Sequence, residues 1–369
     1  MSTVNSCEAR VGMVGNPSDG FKGKTLSFLL GNFEACVEIT RAEEGAFTFH
    51  GANSNIAEAR FESLVQFRGC VEKSGWYTDF GRDGGISLCM ATFSMLIKCL
   101  DGMGKTTSIL KSGFSIKYNT TIPRCVGLSG SSAIIMACWK SLLGMYELTL
   151  EDLGITKEYL PSLIMEIERR ELDIAAGLQD RVIQTYRGLV HMDFSVDSET
   201  DNNQNPLVDT LARPGRYTSI DPKLLPDMYL LYNTHAGGDS GGVHSTVKER
   251  WANQDPILVA GMQKFGVLAD EAVEALKGCD YIRLASIFEA NFSNRRALYG
   301  DEVVGALNVQ VALKAKEFGL SVKFSGSGGA FIGLRTDGQG FYGKEEEEAV
   351  RRELDALGFA IVRVVLPES

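Results

Sequence analysis

The stretch PRCVGLSGSSA, residues 123–133, constrains this chain more than any other. It follows residues 114–119, which alternate as a strand, and leads into residues 133–143, an apolar run with the spacing of a buried helix. Strand, small-residue loop and helix in that order leave backbone N–H groups unsatisfied at the positive end of the helix, and the glycines let a ligand approach them. That is an anion cradle. Its serine hydroxyls add donors for phosphate oxygens or ligands for a metal ion. A helix cap followed by small packing residues is the bland alternative.

The overall charge does not invite an anion. The 369 residues carry 47 acidic against 37 basic side chains, a net charge of -10, and no basic stripe suited to nucleic acid is present. Local N–H groups or a metal ion must therefore do the binding. The length exceeds what one core usually organises, and a 44% hydrophobic content excludes disorder, so two domains in contact are expected. The polar run 195–214, with DSETDNNQNP, reads as an exposed loop and the domain boundary, giving domains 1–214 and 215–369. The first residues lack a basic segment followed by an apolar block, and no apolar run of ~18 residues appears, which predicts a cytoplasmic protein without a membrane span. Eight cysteines without a C-x-x-C pair read as free core thiols, and the four histidines lack metal-ligand spacing.

Periodicity predicts further strands at 9–14, 33–40, 46–50, 188–193, 228–233, 322–324, 330–334 and 361–365. It predicts helices at 56–73, 86–100, 163–172, 179–185, 243–253, 257–276, 303–318 and 345–357, with a glycine-rich turn at 237–242. Two more glycine-rich loops, residues 15–23 and 325–330, are weak signals alone. Gly23-Lys24-Thr25 and Gly104-Lys105-Thr106 end like a P-loop but carry Ser18 and Cys99 where its first glycine belongs. Gly127-Leu128-Ser129-Gly130-Ser131 fails as a hydrolase elbow at its last position. Glu168 and Glu171 share a helical face that could be aimed at a cation, and Asp180 sits in an apolar neighbourhood where a carboxylate needs a partner or a task.

Taken together, residues 10–19, 123–133 and 325–329 resemble the three motifs of the GHMP small-molecule kinases. Within that superfamily the chain is most similar to the plant-type glucuronokinase family, through GNPSDG, YNTTIPRCVGLSGSSAI, AGLQDRV, GDSGGVHSTVKERW and KFSGSGGA. The resemblance implies an α+β fold, with an N-terminal domain like the second domain of ribosomal protein S5, a C-terminal ferredoxin-like domain, and ATP between them. It implies ATP contacts from Pro123, Gly127, Leu128, Ser129, Gly130, Ser131, Ser132 and Ala133, from Gly326, Ser327 and Gly328, and from Trp76 beside the adenine. Ser132 with Glu168 or Glu171 would hold Mg²⁺. Asp180 matches the base toward an anomeric hydroxyl, Arg10 the cation beside it, and Asp19 a ligand of sugar hydroxyls. Galactokinases have an acidic residue and a histidine where this chain has Asn16-Pro17, which argues against galactose. The implied reaction phosphorylates D-glucuronate at its anomeric hydroxyl, giving glucuronate 1-phosphate and ADP, with Arg124, Arg181, Arg295 or Arg296 meeting the carboxylate. A 1-kinase for galacturonate or a neutral hexose, and a sugar-binding regulator without turnover, are the alternatives.

Overall fold

The structure is a computed structural model, and it describes residues 2–42, 45–52, 57–81, 84–198, 203–235 and 243–368. Two sheets of unequal size organise it. β1 (Ser2–Val14) pairs along its length with β2 (Lys24–Arg41), whose 18 residues are long enough to serve two neighbours. The first part of β2 pairs with β6 (Leu189–Asp193) and the second with β5 (Phe114–Thr120). β3 (Phe47–His50) runs parallel to β5 and antiparallel to β4 (Ala57–Phe61), and β7 (Arg216–Ile220) closes the other edge beside β6. The second half of β2 shows why: Ala35, Val37 and Ile39 are buried while Glu34, Glu38 and Thr40, in alternation with them, face solvent, the period of a half-buried strand.

Against β1 and β2 lies helix Gly130–Met145, with helix Gly85–Gly102, buried on nearly every face, packed beside it. Helix Gly85–Gly102 is long and apolar enough to cross a membrane by those measures, and its burial makes it the centre of the core instead. The second sheet runs β11 (Phe359–Arg363), β8 (Tyr229–Asn233), β10 (Ala330–Arg335), β9 (Leu320–Phe324), all antiparallel. Two long helices, Pro256–Lys277 and Tyr281–Tyr299, fall between β8 and β9, and helix Lys344–Asp355 falls between β10 and β11. This is the ferredoxin-like order, and the whole is the α+β fold that the motifs implied.

Several expectations need correction. The division at 214/215 leaves β7 on the wrong side, because it pairs with β6 and completes the first sheet. The run before it is not simply exposed: Asn205, Val208 and Leu211 are buried, and Asn205 Nδ2 donates to the carbonyls of Cys99 and Leu153. The helix expected at 56–73 is strand β4 followed by helix Leu64–Val71, which Ser63 caps by accepting from the Gln66 amide. Gly305, at φ +90°, splits the helix expected at 303–318. Helix Tyr281–Tyr299 went unpredicted. The glycine-rich turn at 237–242 lies outside the described residues.

Candidate active site

Glycine brings the two loops together. Gly127 has φ +73°, and a Cβ there would lie 2.9 Å from the amide nitrogen of Ser327. A Cβ on Gly326 would lie 2.2 Å from the carbonyl oxygen of Gly127. Only backbones without side chains pack so closely. Ser129, also left-handed at φ 63°, turns the chain into helix Gly130–Met145, where the buried hydroxyl of Ser132 donates to the Ser129 carbonyl at 3.2 Å.

Arginines set the polarity of these loops. Arg10 Nη1 donates to the carbonyls of Gly127 and Ser325, at 2.8 and 2.9 Å. Arg295 donates to the carbonyls of Gly326 and Ser327, at 2.7 and 2.5 Å. A trans peptide points its N–H opposite its C=O, so the amides of Leu128, Gly326, Ser327 and Gly328 are turned away from the cations. None of the four has a hydrogen-bond acceptor among the described residues. With the first-turn amides of the helix they form a set of donors suited to a polyphosphate.

Beside the loops stands a carboxylate held by two guanidinium groups. Arg10, buried on β1, donates through Nε to Asp180 Oδ1 at 2.6 Å. Arg181 approaches Asp180 Oδ2 at 3.4 Å, donates to the Gly177 carbonyl at 2.8 Å, and ion-pairs with the buried Glu168. Burial, with the like charge of Arg10, pulls the Arg181 pKa down to about 9. Asp180 lies in the first turn of helix Leu178–Tyr186, and Asp19 reaches the same turn from another segment, accepting from the amides of Gln179 and Gly20. Gly177 makes room for it, since a Cβ there would lie 2.5 Å from Asp19 Oδ2. Burial first, and the nearby charge of Asp180 second, push the Asp19 carboxyl up to about 6.

The structure separates residues that the sequence grouped. Glu168 faces Arg181, whereas Glu171 accepts from Ser94 at 3.0 Å and pairs with Lys98. Glu171 lines a cavity of about 430 Å³ with Trp76, Tyr77, Lys98 and Arg170. A further cavity of about 570 Å³, around His191 and Asp270, shares no residue with either loop. Arg124 is exposed on the central loop. Arg295 and Arg296, expected to meet a substrate carboxylate, are committed elsewhere: Arg295 braces the late loop while lying over the rings of Phe324 and Tyr299, and Arg296 forms a two-bond pair with Asp301. Sequence reasoning overlooked Lys323 and Asn291. Asn291 accepts from the Gly15 amide at 2.9 Å, tying the loop that carries Asp19 to helix Tyr281–Tyr299. The signal for Lys323 lay in the quoted KFSGSGGA, one residue before the glycine-rich loop.

Two glycine loops with unpartnered amides beside an arginine-held carboxylate, in this fold, mark the class of the GHMP small-molecule kinases. Residues 92–188 match the GHMP kinases N terminal domain. The mevalonate kinase of Methanococcus jannaschii superposes with a TM-score of 0.69 at 15% identity, over 100% of this chain and 99% of that one. The galactokinase of Lactococcus lactis superposes with a TM-score of 0.67 at 14% identity, over 99% and 93%. In sequence, Glucuronokinase 1 of Arabidopsis thaliana is 37% identical over 98% of this chain and 91% of its own. The chain belongs to the glucuronokinase family, and it is an ATP-dependent sugar kinase.

Proposed function

We propose that the protein transfers the γ-phosphoryl group of ATP to the anomeric hydroxyl of D-glucuronate, giving D-glucuronate 1-phosphate and ADP. The observation that carries this reading is the joint formed by Arg10, which grips both phosphate loops through their carbonyls and Asp180 through its Nε. One side chain thus sets the distance between the phosphate donors and the carboxylate. In this reading Asp180 accepts the proton of the anomeric hydroxyl as the bond to phosphorus forms, and Arg10 offsets charge on the transferring group. Asp19 binds a sugar hydroxyl. The loop amides and the first turn at Ser131 and Ser132 hold the phosphates. Trp76, in the cavity it shares with Tyr77, lies against the adenine.

Mg²⁺ fits the oxygen donors near the phosphate loop. Glu168 is a buried carboxylate balanced by Arg181, and the Ser132 hydroxyl opens the helix that receives the phosphates. These two would hold the ion, which when bound neutralises charge on the β- and γ-phosphates. Glu171 is the weaker choice because it faces Ser94, Lys98 and the cavity at Trp76, whereas Glu168 faces Arg181 beside Asp180. Of the arginines that could meet the uronate carboxylate, Arg124 lies on the central loop and Arg181 stands beside Asp180.

The test is ADP release measured across glucuronate, galacturonate, glucose and galactose, with the phosphorylated position read by phosphorus–proton coupling in the product. Highest kcat/KM for glucuronate and a phosphate on C1 are expected. A neutral hexose preferred over both uronates would overturn the reading.

A further inference from the structure

Helix Leu178–Tyr186 meets β1 through polar side chains. Its apolar residues Val182 and Ile183 pack with Leu29, Val190 and Met192 of β2 and β6, which leaves another face for β1. On that face Asp180, Gln184 and Arg187, the last just past the helix, follow at i, i+4 and i+7. Each makes a contact with β1. Asp180 accepts from Arg10 Nε at 2.6 Å, Gln184 Nε2 donates to the Glu8 carbonyl at 3.4 Å, and Arg187 holds the Glu8 carboxylate with two bonds. Arg187 is exposed, whereas Gln184 is buried and has no task in the site described so far.

Gln184 also reaches a third element. The same Nε2 lies 3.5 Å from the Ser129 carbonyl, so one amide group spans β1 and the central loop. Its buried Oε1 has no hydrogen-bond partner among the described residues. An amide kept this way is costly, and methionine would fill much of the same space. Ser129 is the residue on which the central loop turns, at φ 63°, into helix Gly130–Met145. Its carbonyl already accepts from the Ala133 amide at 3.1 Å and from the Ser132 hydroxyl at 3.2 Å. Holding that carbonyl holds the tilt of the first helical turn, whose amides receive the phosphates in the proposed reaction. The helix that carries Asp180 therefore grips the central loop twice, through Arg10 at the Gly127 carbonyl and through Gln184 at the Ser129 carbonyl.

We infer that Gln184 is a positioning residue for phosphoryl transfer, which holds the Ser129 turn, and with it the phosphate-binding amides, in register with Asp180. This rests on the reading of Asp180 as the base and of the central loop as the phosphate site. The test measures kcat and the KM values for ATP and the preferred sugar in Gln184→Met, Asp180→Asn and the double variant, with ADP release followed long enough to read the slow ones. Gln184→Met removes both donations at similar volume, and kcat should fall about tenfold with both KM values held within about threefold. In the Asp180→Asn background the same change should cost less than about threefold, because register with a base no longer matters once the base is gone. A purely structural role would cost the same factor in both backgrounds. Arg187→Met is the control: it removes an exposed pair that makes no bond to the loop, and kcat should stay within about twofold of wild type. If Gln184→Met does not fold, Gln184→Asn, one methylene too short for both carbonyls, takes its place. Equal factors in the two backgrounds, a kcat for Gln184→Met within about twofold of wild type, or an equal loss in Arg187→Met overturns the role of Gln184 alone. Near-normal turnover in Asp180→Asn overturns the reading of the base and this inference with it.

Discussion

Asp180 has one oxygen taken by Arg10 and the other approached by Arg181, which fixes its direction before any sugar arrives. Asp180→Asn keeps the shape and abolishes proton acceptance, so turnover should fall by roughly 10² or more while calorimetric ATP affinity stays within about threefold. Near-normal turnover would take Asp180 out of the mechanism. Asp19 makes a second prediction, through stability. Its folded pKa, about 6, lies above the ordinary aspartate value, so its contribution to stability is complete below the ordinary value and is lost as pH rises through 6. Asp19→Asn should therefore raise Tm at pH 7, by roughly 2 °C or more, with the gap to wild type closing toward about pH 4, while the sugar KM rises. A gap that does not change with pH would assign the gain to something other than this carboxyl. At this scale Arg10, Asp19 and Asp180 were legible, because they belong to the compact motifs that also signal the loops. The paired arginines were not. Neighbours on a helix point about 100° apart, so Arg295 turns to the late loop and Arg296 to Asp301, and no local pattern says which is which.

The two glycine loops act as one element. Gly127→Ala would force a side chain into the Ser327 amide at a left-handed φ, a strain of about 1–3 kcal/mol that is relieved only by parting the loops. It should weaken ATP binding about tenfold or more and lower Tm. Gly328→Ala is the matched control, because a Cβ there meets nothing within 4 Å, and its Tm should stay near wild type. Equal melting losses in both would mean that the close approach is not what holds the loops. Periodicity read the elements whose buried face is apolar, helix Gly85–Gly102 among them, and missed one whose buried face carries polar side chains. Helix Tyr281–Tyr299 is that case: Asn291, Asn294 and Arg295 are buried in it as bonding partners of the Gly15 amide and of the Gly261 and Gly326 carbonyls, which erases the apolar stripe.

Across the molecule, the two halves are joined at the turn and at the middle of the first hairpin. Gly31 donates to the Val365 carbonyl at 2.7 Å, Asn32 exchanges bonds with Arg363 and Val365, Lys24 pairs with Asp270 at 2.7 Å, and Lys323 reaches back to Gly12. Such stitching predicts that the halves unfold together. In urea, fluorescence from Trp139, buried against the first sheet and isolated by Trp76→Phe and Trp251→Phe, should give the same midpoint as far-UV circular dichroism of that variant. Separated midpoints would show two independent units. The boundary was hard to place from sequence for the same reason: β7 returns to the first sheet after a polar run that looks like a linker. The carbonyls turned inward by Arg10 and Arg295 have a consequence for anyone who would map or block this protein. What the loops present to a phosphate is main chain, which every amino acid except proline supplies equally. An alanine scan would pass over the amides of Leu128, Ser327 and Gly328 almost in silence, whereas Gly127 and Gly326, where a Cβ collides with the facing loop, would answer through packing alone.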